Sequence, residues 1–363
     1  MKLQDVDKRF VVNEAISEDG IKRYTIPHES FDLYGIFYDE KNHRFARMDQ
    51  DIADQVNDGV KILAPHTCGG RLRFSTDSDK LEITVTYDEL WRMSHMALEG
   101  SGGFMLVEEN EDGSTGFYKM LPPTFEQLKG YTLSVNLPAG KMRNYILWFP
   151  LYNQVTSLTI GLDEKATVSS GRKYKDIKPI LYYGSSITQG GCASRPDNAY
   201  ASLTSKWNNI DFINLGFSGS GKAEDIMVDY LTTIDCSLFV CDYDHNAPDA
   251  KYLEQTHYRL YERYRQVRKD VPILFLTAPT DEPRDMDERT ARYKVIKKTY
   301  DKAKKQGDKN VYFMDGRKLL NMPDRMNCSV DGVHPTDLGF YFMAERTAPV
   351  IGRILAHCGQ KNS

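Results

Sequence analysis

Four polar side chains have the residue types that nucleophilic catalysis requires. They are Ser186 in "GSSIT", Asn246 in "DYDHN", and Asp331 and His334 in "DGVH". A serine hydroxyl attacks a carbonyl carbon only when a base accepts its proton, and an imidazole titrates near neutral pH. Asp331 lies three residues before His334, so one turn of the chain can bring its carboxylate close enough to orient the ring. This set predicts acyl transfer with a serine of "GSSIT", either Ser185 or Ser186, as the nucleophile and His334 as the base.

An anionic tetrahedral intermediate also requires hydrogen-bond donors aimed at its developing charge. The loop "NLGFSGSG" offers the backbone N–H of Gly219, and Asn246 offers a side-chain amide. The N–H of Ser186 is a third candidate, because the first amides of a helix have no partner within that helix. The predicted oxyanion donors are therefore Ser186, Gly219 and Asn246.

These residues follow predicted strands in the second half of the chain. Short apolar runs alternate there with helical segments, which is typical of a parallel sheet with helices on both faces. The predicted strands are "PILYYG", "DFINLG", "SLFVCDYD", "PILFLTAP" and "VYFMD", and the last helix starts near Thr336. Ligands of such sheets bind at the carboxyl ends of the strands, so the candidate residues are expected to meet at one edge.

The first half of the chain has a different pattern, which predicts a β-sandwich. "KLEITVTYD" alternates apolar and polar residues, and Asp112-Gly113 separates two short apolar runs as in a hairpin. The polar stretch "VSSGRKYKDIKP" marks the change between the two patterns. We therefore predict an N-terminal β-sandwich domain at residues 1–171 and an α/β domain at residues 172–363.

The order of the motifs resembles the SGNH (GDSL-like) hydrolases, whose four sequence blocks contribute Ser, Gly, Asn and His. The corresponding blocks here are "GSSIT", "NLGFSGSG", "DYDHN" and "DGVH". "GSSITQGGCASRPDNAY" and "WFPLYNQVTSLTIGL" are similar to the branch that carries an N-terminal, jelly-roll-like β-sandwich. The resemblance implies a three-layer α/β/α catalytic domain of flavodoxin-like topology, a serine esterase mechanism and no cofactor.

The sequence departs from the family pattern at two positions. Ser185 stands where many members have Asp, so the motif alone leaves open which of the two serines reacts. We favour Ser186, because the family nucleophile directly precedes the Ile or Leu that is Ile187 here. His245 stands before Asn246, where a small residue is common, and either narrows the pocket or points away.

The branch with the sandwich also resembles two-domain carbohydrate esterases. That resemblance implies a substrate with O-acetyl groups on a sugar or oligosaccharide. A short-chain lipase or thioesterase is the alternative within the same chemistry. A carbohydrate-binding protein without catalytic activity is the alternative outside it.

Nucleotide binding is the competing interpretation of the glycine-rich loop. Gly216, Gly221 and Lys222 nearly fit a phosphate-binding loop, but Ala223 stands where Ser or Thr would hold Mg²⁺. Nucleotide binding would also leave the serine and the Asp-x-x-His motif without a role. We therefore favour an oxyanion loop.

Other candidate residues have two interpretations each. Arg195 in "ASRPDN" is either a substrate contact or a surface arginine. Trp91, Trp148 and Tyr152 form either a sugar-stacking face or part of the sandwich core, and their strand context favours the core. No metal site is expected, because the histidines outside the motif have no ligand partners at close spacing.

The composition argues against several functional classes. The 363 residues include 47 basic and 51 acidic ones, for a net charge of -4, which gives no support to nucleic-acid binding. The sequence has no apolar run long enough to span a bilayer, and its N-terminal region lacks the apolar stretch of an export signal. We therefore expect a cytoplasmic enzyme that acts on a small-molecule or oligosaccharide ester and binds neither nucleic acid nor membrane. The oligomeric state stays open.

Overall fold

The computed structural model describes residues 20–279 and 286–359, and its first half forms a β-sandwich. The strands of this half are β1 (Ile21–Thr25), β2 (Asp32–Tyr34), β3 (Phe37–Asp39), β4 (Arg44–Ala46), β5 (Arg71–Thr76), β6 (Lys80–Tyr87), β7 (Phe104–Glu109), β8 (Thr115–Leu121), β9 (Gly130–Asn136), β10 (Arg143–Trp148), β11 (Val155–Asp163) and β12 (Val168–Ser170). One sheet has the order β1-β11-β6-β9, and the other has the order β12-β5-β10-β7-β8 with β2 beside β5. β3 and β4 form a separate hairpin.

The sequence patterns of the first half match these strands. β7 and β8 pair antiparallel around Gly113, which confirms the predicted hairpin, and Gly113 has a φ of +82°, which suits glycine. In β10, Tyr145 and Leu147 belong to the sandwich core, whereas Ile146 and Trp148 belong to a core shared with the second half of the chain. β10 is therefore buried on both faces.

The second half contains the predicted parallel sheet. Its strands are β13 (Ile180–Gly184), β14 (Phe212–Gly216), β15 (Leu238–Asp242), β16 (Ile273–Leu276) and β17 (Val311–Met314). They lie in the order β14-β13-β15-β16-β17, which is the flavodoxin-like order when the strands of this sheet are numbered by themselves. The predicted fold class is confirmed.

Helices cover both faces of the parallel sheet. The helices of the described residues are α1 (Gln50–Val56), α2 (Asp58–Leu63), α3 (Leu98–Gly102), α4 (Ser186–Gln189), α5 (Tyr200–Asn208), α6 (Asp225–Thr233), α7 (Ala250–Val267), α8 (Met286–Lys305) and α9 (Asp337–Gly359). α5 and α9 pack on one face, and α6, α7 and α8 pack on the other together with α1 and α2. None of these helices is long and apolar enough to cross a membrane.

Buried polar and aromatic side chains join the sandwich to the edge of the parallel sheet. Arg71 of β5 forms an ion pair with Asp211 and donates a hydrogen bond to the carbonyl of Phe212 at 3.2 Å. The same guanidinium lies 4.2 Å from the centroid of the Phe212 ring, and the Trp148 ring lies 6.3 Å from it, centroid to centroid. Phe212 begins β14, so these contacts support the strand that leads to the glycine-rich loop.

Candidate active site

The register of the parallel sheet brings three of the predicted motifs together. Gly184 at the end of β13 lies between Gly216 of β14 and Asp242 of β15. Strands with aligned ends deliver the segments that follow them to one place at the sheet edge. The three predicted residues that follow these strand ends within a few positions are Ser186, Gly219 and Asn246.

The two adjacent serines have different contacts. Ser185 is the N-cap of α4, and its Oγ accepts a hydrogen bond from the N–H of Ile187 at 3.2 Å. Ser186 Oγ instead lies 2.9 Å from Nε2 of His334. The structure therefore places Ser186 beside the imidazole and gives Ser185 the capping role.

His334 and Asp331 lie in a tight loop before α9. His334 Nδ1 is 2.7 Å from Asp331 Oδ2, and Asp331 Oδ1 accepts hydrogen bonds from the N–H groups of Val333 and His334 at 2.9 and 2.8 Å. Partial burial would raise the pKa of Asp331, but these hydrogen bonds outweigh it and lower the pKa to about 2. Asp331 is therefore a carboxylate at neutral pH. With the ring proton on Nδ1, Nε2 accepts the hydrogen bond of the serine hydroxyl.

The predicted oxyanion donors surround the end of β13. Gly219 has a φ of +67° and faces open space, and its N–H has no hydrogen-bond partner among the described residues. Asn246 Nδ2 donates to the carbonyl of Phe217 at 2.7 Å, which leaves its second N–H available. The N–H of Ser186 lies in the first turn of α4, where amides have no partner within the helix.

The glycine-rich loop, residues 217–221, packs directly on the segment that carries Ser186. Phe217 N–H donates to the carbonyl of Gly184 at 3.0 Å. Ser218 N–H donates to Oε1 of the buried Gln189 at 3.0 Å. These two bonds fix the loop against both ends of the Ser186 segment, so its amides keep a defined position relative to the hydroxyl.

The nucleotide-binding alternative has no support in this geometry. Ala223 is buried in the core on one face of the parallel sheet, and its N–H donates to Tyr183 Oη at 2.7 Å. In a phosphate-binding loop, this position presents the hydroxyl that holds Mg²⁺. Here it faces the protein interior.

Arg47 supports the glycine-rich loop from the sandwich side, and the sequence analysis missed it. Its buried guanidinium donates to the carbonyls of Asn214 and Gly216 at 2.8 and 2.9 Å and to two carbonyls of the N-terminal half. It also lies 4.7 Å from the centroid of the Phe217 ring. No local sequence signal marks this role, because its partners come from a distant strand.

Two further residues, Tyr152 and His95, lie near the triad, and the sequence did not predict either position. Tyr152 Oη donates to the carbonyl of Ser186 at 3.4 Å, and burial raises the pKa of Tyr152, so it stays a neutral donor. The exposed ring of His95 lies 6.0 Å from that of His334, centroid to centroid. Both belong to the first half of the chain, so they reach the site only through packing between the halves.

Asp242 lies beneath the nucleophile segment. Its carboxyl group accepts hydrogen bonds from Thr188 Oγ1, from Tyr200 Oη at 2.7 Å and from the N–H of Ser185. Burial raises the pKa of Asp242 to about 7, against the opposing effect of these hydrogen bonds. Asp242 therefore ties α4 to the end of β15.

The polar contacts of the Arg195 guanidinium are with residues two and three positions later in the chain. Its Nε lies 3.1 Å from Asp197 Oδ1, and its NH2 group donates to Asn198 Oδ1 at 2.9 Å. The guanidinium also lies 5.8 Å from the centroid of the Tyr118 ring. None of its contacts with described residues involves the triad, and a direct contact with substrate stays a prediction.

An imidazole lies beside Ser186 Oγ, and the N–H groups of Gly219 and Asn246 belong to segments that follow the neighbouring strand ends. Such donors stabilise an anionic tetrahedral intermediate. Within residues 20–279 and 286–359, no three His, Cys, Asp or Glu side chains are arranged to hold a metal ion.

Both halves of the chain match known families. Residues 177–352 match the GDSL-like Lipase/Acylhydrolase family. Residues 22–168 match the family described as the N-terminus of Esterase_SGNH_hydro-type proteins. The predicted family resemblance is confirmed for both parts, and all four motifs lie within the first match.

Solved structures share the fold over nearly the whole chain. A protein of Bacteroides ovatus ATCC 8483, named as a candidate GDSL-like lipase, is 26% identical, with a TM-score of 0.82 over 93% of this chain and 98% of that one. The salicylyl-acyltransferase SsfX3 of a tetracycline biosynthetic pathway is 18% identical, with a TM-score of 0.74 over 91% and 96%. An acetyl xylan esterase of Butyrivibrio proteoclasticus is 12% identical, with a TM-score of 0.59 over 93% and 99%. No curated protein sequence matches the chain.

Proposed function

We propose that this chain, whose residues 177–352 match the GDSL-like lipase/acylhydrolase family, is a serine esterase that hydrolyses small O-acyl esters. The hydrogen-bonded series from Ser186 Oγ through His334 to Asp331, at 2.9 and 2.7 Å, supports this most directly. A base within hydrogen-bond reach of a hydroxyl, and itself oriented by a carboxylate, is the arrangement that activates serine.

The first half-reaction acylates the enzyme. Ser186 Oγ attacks the ester carbonyl carbon while its proton passes to His334 Nε2, and Asp331 stabilises the imidazolium that forms. The N–H groups of Gly219 and Ser186 and the side-chain amide of Asn246 hold the oxyanion. The C–O bond to the alcohol then breaks, and the alcohol leaves with the proton from Nε2.

The second half-reaction releases the acid. Water donates its proton to His334 Nε2 as it attacks the acyl carbon, and a second tetrahedral intermediate forms at the same donors. Its collapse returns the proton to Ser186 Oγ and frees the carboxylic acid. Each step is carried by side chains, backbone N–H groups and water.

We propose that the acyl group is small, in keeping with an O-acetyl group on a sugar or oligosaccharide. The chain after α4 passes close to the triad: a Cβ on Gly191 would lie 3.1 Å from the Ser186 carbonyl oxygen and 3.3 Å from Cδ2 of His334. That crowding leaves little space for a long acyl chain on this side of the imidazole. The fold shared with an acetyl xylan esterase adds support for a sugar ester.

Covalent labelling tests the mechanism. We expect a fluorophosphonate to phosphonylate the purified protein stoichiometrically and peptide mass spectrometry to place the adduct on Ser186. Labelling should be lost in His334→Ala, which keeps the serine and removes its base. Absence of labelling, or an adduct on another residue, would favour the non-catalytic carbohydrate-binding alternative.

An acyl-length series tests the substrate class. We expect kcat/KM for 4-nitrophenyl esters to be highest for acetate and to fall through butyrate to octanoate. Acetate release from partly O-acetylated xylo-oligosaccharides should accompany this preference. Faster turnover of octanoate than of acetate would favour the lipase or thioesterase alternative.

A further inference from the structure

A polar groove on the sandwich has no part in the mechanism above. It encloses about 470 Å³ between the segments around α1, the loop of residues 88–97 and the chain before β11. The lining residues that matter below are Arg44, Gln50, Asp88, Glu89, Trp91 and Gln154.

Trp91 is an exposed aromatic surface held in a fixed position. Its side chain is 47% exposed, so the predicted burial is wrong for Trp91. Trp148 and Tyr152 are buried as predicted, but in the core shared with the second half of the chain rather than in the sandwich core. The side chain of Asn153 holds the backbone of Trp91 through two hydrogen bonds. Asn153 Oδ1 accepts from the Trp91 N–H at 2.6 Å, and Asn153 Nδ2 donates to the Trp91 carbonyl at 3.2 Å. His66 packs against the indole at 5.2 Å between centroids. A rigid indole with an accessible face is a platform for the apolar face of a sugar ring.

Hydrogen-bonding groups surround this indole. The carboxylates of Asp88 and Glu89 have no partner among the described residues. Arg44 donates to Oε1 of Gln154 at 3.1 Å, which leaves the NH2 group of that amide without a partner in the same part of the chain. Free carboxylate acceptors and amide donors beside an aromatic ring are the groups that bind sugar hydroxyls.

Two buried nitrogen atoms of the groove wall are also unpaired among the described residues. They are Nδ1 of His66 and Nε of Arg44. His66 is 3% exposed, and burial lowers its pKa to about 3, so the ring is neutral. Buried polar atoms of folded proteins are normally hydrogen-bonded. A hydroxyl-rich ligand in the groove would supply the partners that the protein does not.

Ring contacts connect the wall of the groove to residues beside the triad. The loop of residues 88–97 carries both Trp91 and His95, and the His95 ring lies 6.0 Å from that of His334. On the other side, the His66 ring lies 6.2 Å from that of Tyr152, which reaches the Ser186 carbonyl. Trp91 is therefore connected to Ser186 through two intervening rings, those of His66 and Tyr152, so a ligand that touched both Trp91 and Ser186 would be an oligosaccharide rather than a single sugar.

The charges of the groove favour a neutral sugar. Its lining has two basic side chains, Arg44 and Lys61, and three acidic ones, Asp54, Asp88 and Glu89. One of these acids, Asp54, lies 3.8 Å from Lys61 Nζ and offsets it. The acidic balance that remains near Trp91 would repel a uronic acid.

We infer that this groove is a glycan-binding subsite that holds the neutral oligosaccharide of an acylated substrate while its ester lies at Ser186. The subsite rests on the proposed function for the location of the ester. Glycan binding itself does not require catalysis, so the two can fail separately.

Equilibrium binding tests the subsite without turnover. The protein carrying Ser186→Ala is titrated with xylohexaose, cellohexaose and mannohexaose by calorimetry and tryptophan fluorescence. We expect at least one of them to bind, and Trp91→Ala to raise its Kd about tenfold or more, with a smaller rise for Trp91→Phe. Trp207→Ala is the matched control, because Trp207 is 42% exposed on α5, and it should leave Kd unchanged.

Turnover then separates this inference from the proposed function. Trp91→Ala should lower kcat/KM about tenfold on acetylated xylo-oligosaccharides through KM and leave 4-nitrophenyl acetate unchanged. Equal losses on both substrates would overturn the subsite, as would absence of Trp91-dependent binding of the three sugars. Tighter binding of an oligogalacturonate than of every neutral sugar would overturn the neutral class. If Ser186→Ala leaves ester hydrolysis intact, the proposed function fails, and the binding titration still decides the subsite.

Discussion

The carboxyl edge of the parallel sheet and the N-terminal half of the chain contribute to the surroundings of Ser186 in different ways. At the sheet edge, Ser186, Gly219 and Asn246 lie within a few residues of aligned strand ends. From the sandwich, Arg47 and Tyr152 reach the same place through hydrogen bonds to distant backbone carbonyls. The first region supplies the groups that would react, and the second supplies groups that hold them.

This difference indicates how the two regions should respond to substitution. A group that touches the reacting atoms contributes to the transition state directly, so its loss changes the rate steeply. A group that acts through the backbone of another segment changes the rate less and the stability more. The predictions below test that contrast from the largest effect to the smallest.

The largest effect is expected at the nucleophile and should distinguish two neighbouring serines. Ser186→Ala should lower kcat for 4-nitrophenyl acetate by about three orders of magnitude or more. Ser185→Ala removes only the cap of α4 and should cost about 1 kcal/mol of stability with most activity retained. Steady-state kinetics and thermal melts check both. The opposite ranking would assign the reaction to Ser185.

The next effect is expected at the oxyanion amide. Asn246→Ala should lower kcat by about two orders of magnitude with little change in KM, because the donor acts mainly in the transition state. Asn208→Ala is a suitable control, since its amide donates to the carbonyls of Thr204 and Ala348 away from the site. An Asn246→Ala enzyme with near-normal kcat would remove this residue from the oxyanion site.

A smaller rate effect and a clear stability effect are expected at Arg47. Arg47→Met leaves the carbonyls of Asn214 and Gly216 buried without donors, which should cost about 2 kcal/mol or more of unfolding free energy. The loosened loop should lower kcat about tenfold. Urea denaturation and kinetics measure the two changes. A loss of kcat as large as that of Ser186→Ala, without a change in stability, would contradict the supporting role.

The smallest effect concerns the pH dependence of stability. Burial raises the pKa of Asp242 from 3.8 to about 7. Its stabilising contribution is therefore fully present below about pH 4 and is lost as the pH rises towards 7. Thermal melts of wild type and Asp242→Asn between pH 4 and 7 should show the wild type losing stability relative to the variant. A constant difference across that range would mean that Asp242 does not titrate there.

The sequence predicted the motifs of the sheet-edge site because the residues of each motif lie close together in the chain. Asp331 and His334 are three residues apart, so one turn is enough to bring carboxylate and imidazole together, and the structure has them at 2.7 Å. Strand alternation predicted a parallel sheet, and the family resemblance implied its flavodoxin-like order, which the structure has. The register of the sheet then aligned the strand ends. The catalytic roles of these residues stay predictions until the experiments above are done.

The support from the sandwich had no such local signal. The residues around Arg47 match no motif. Its supporting role depends on hydrogen bonds to carbonyls of β14, which lies far along the chain. Trp91, Trp148 and Tyr152 looked alike in their strand-like contexts, yet only Trp91 is exposed. Local periodicity describes which faces of a strand differ, but it does not say what packs on each face.

By itself, the amino-acid sequence determined which residues can react, their order, and the strands and turns that present them. These properties follow from side-chain chemistry and from spacing along a few residues. Only the tertiary structure decided that Ser186 rather than Ser185 meets His334, that Arg47 lies under the glycine-rich loop, and that Trp91 faces a groove. Those outcomes depend on packing between segments far apart in the chain, where shape and hydrogen-bond satisfaction across the whole molecule select one arrangement.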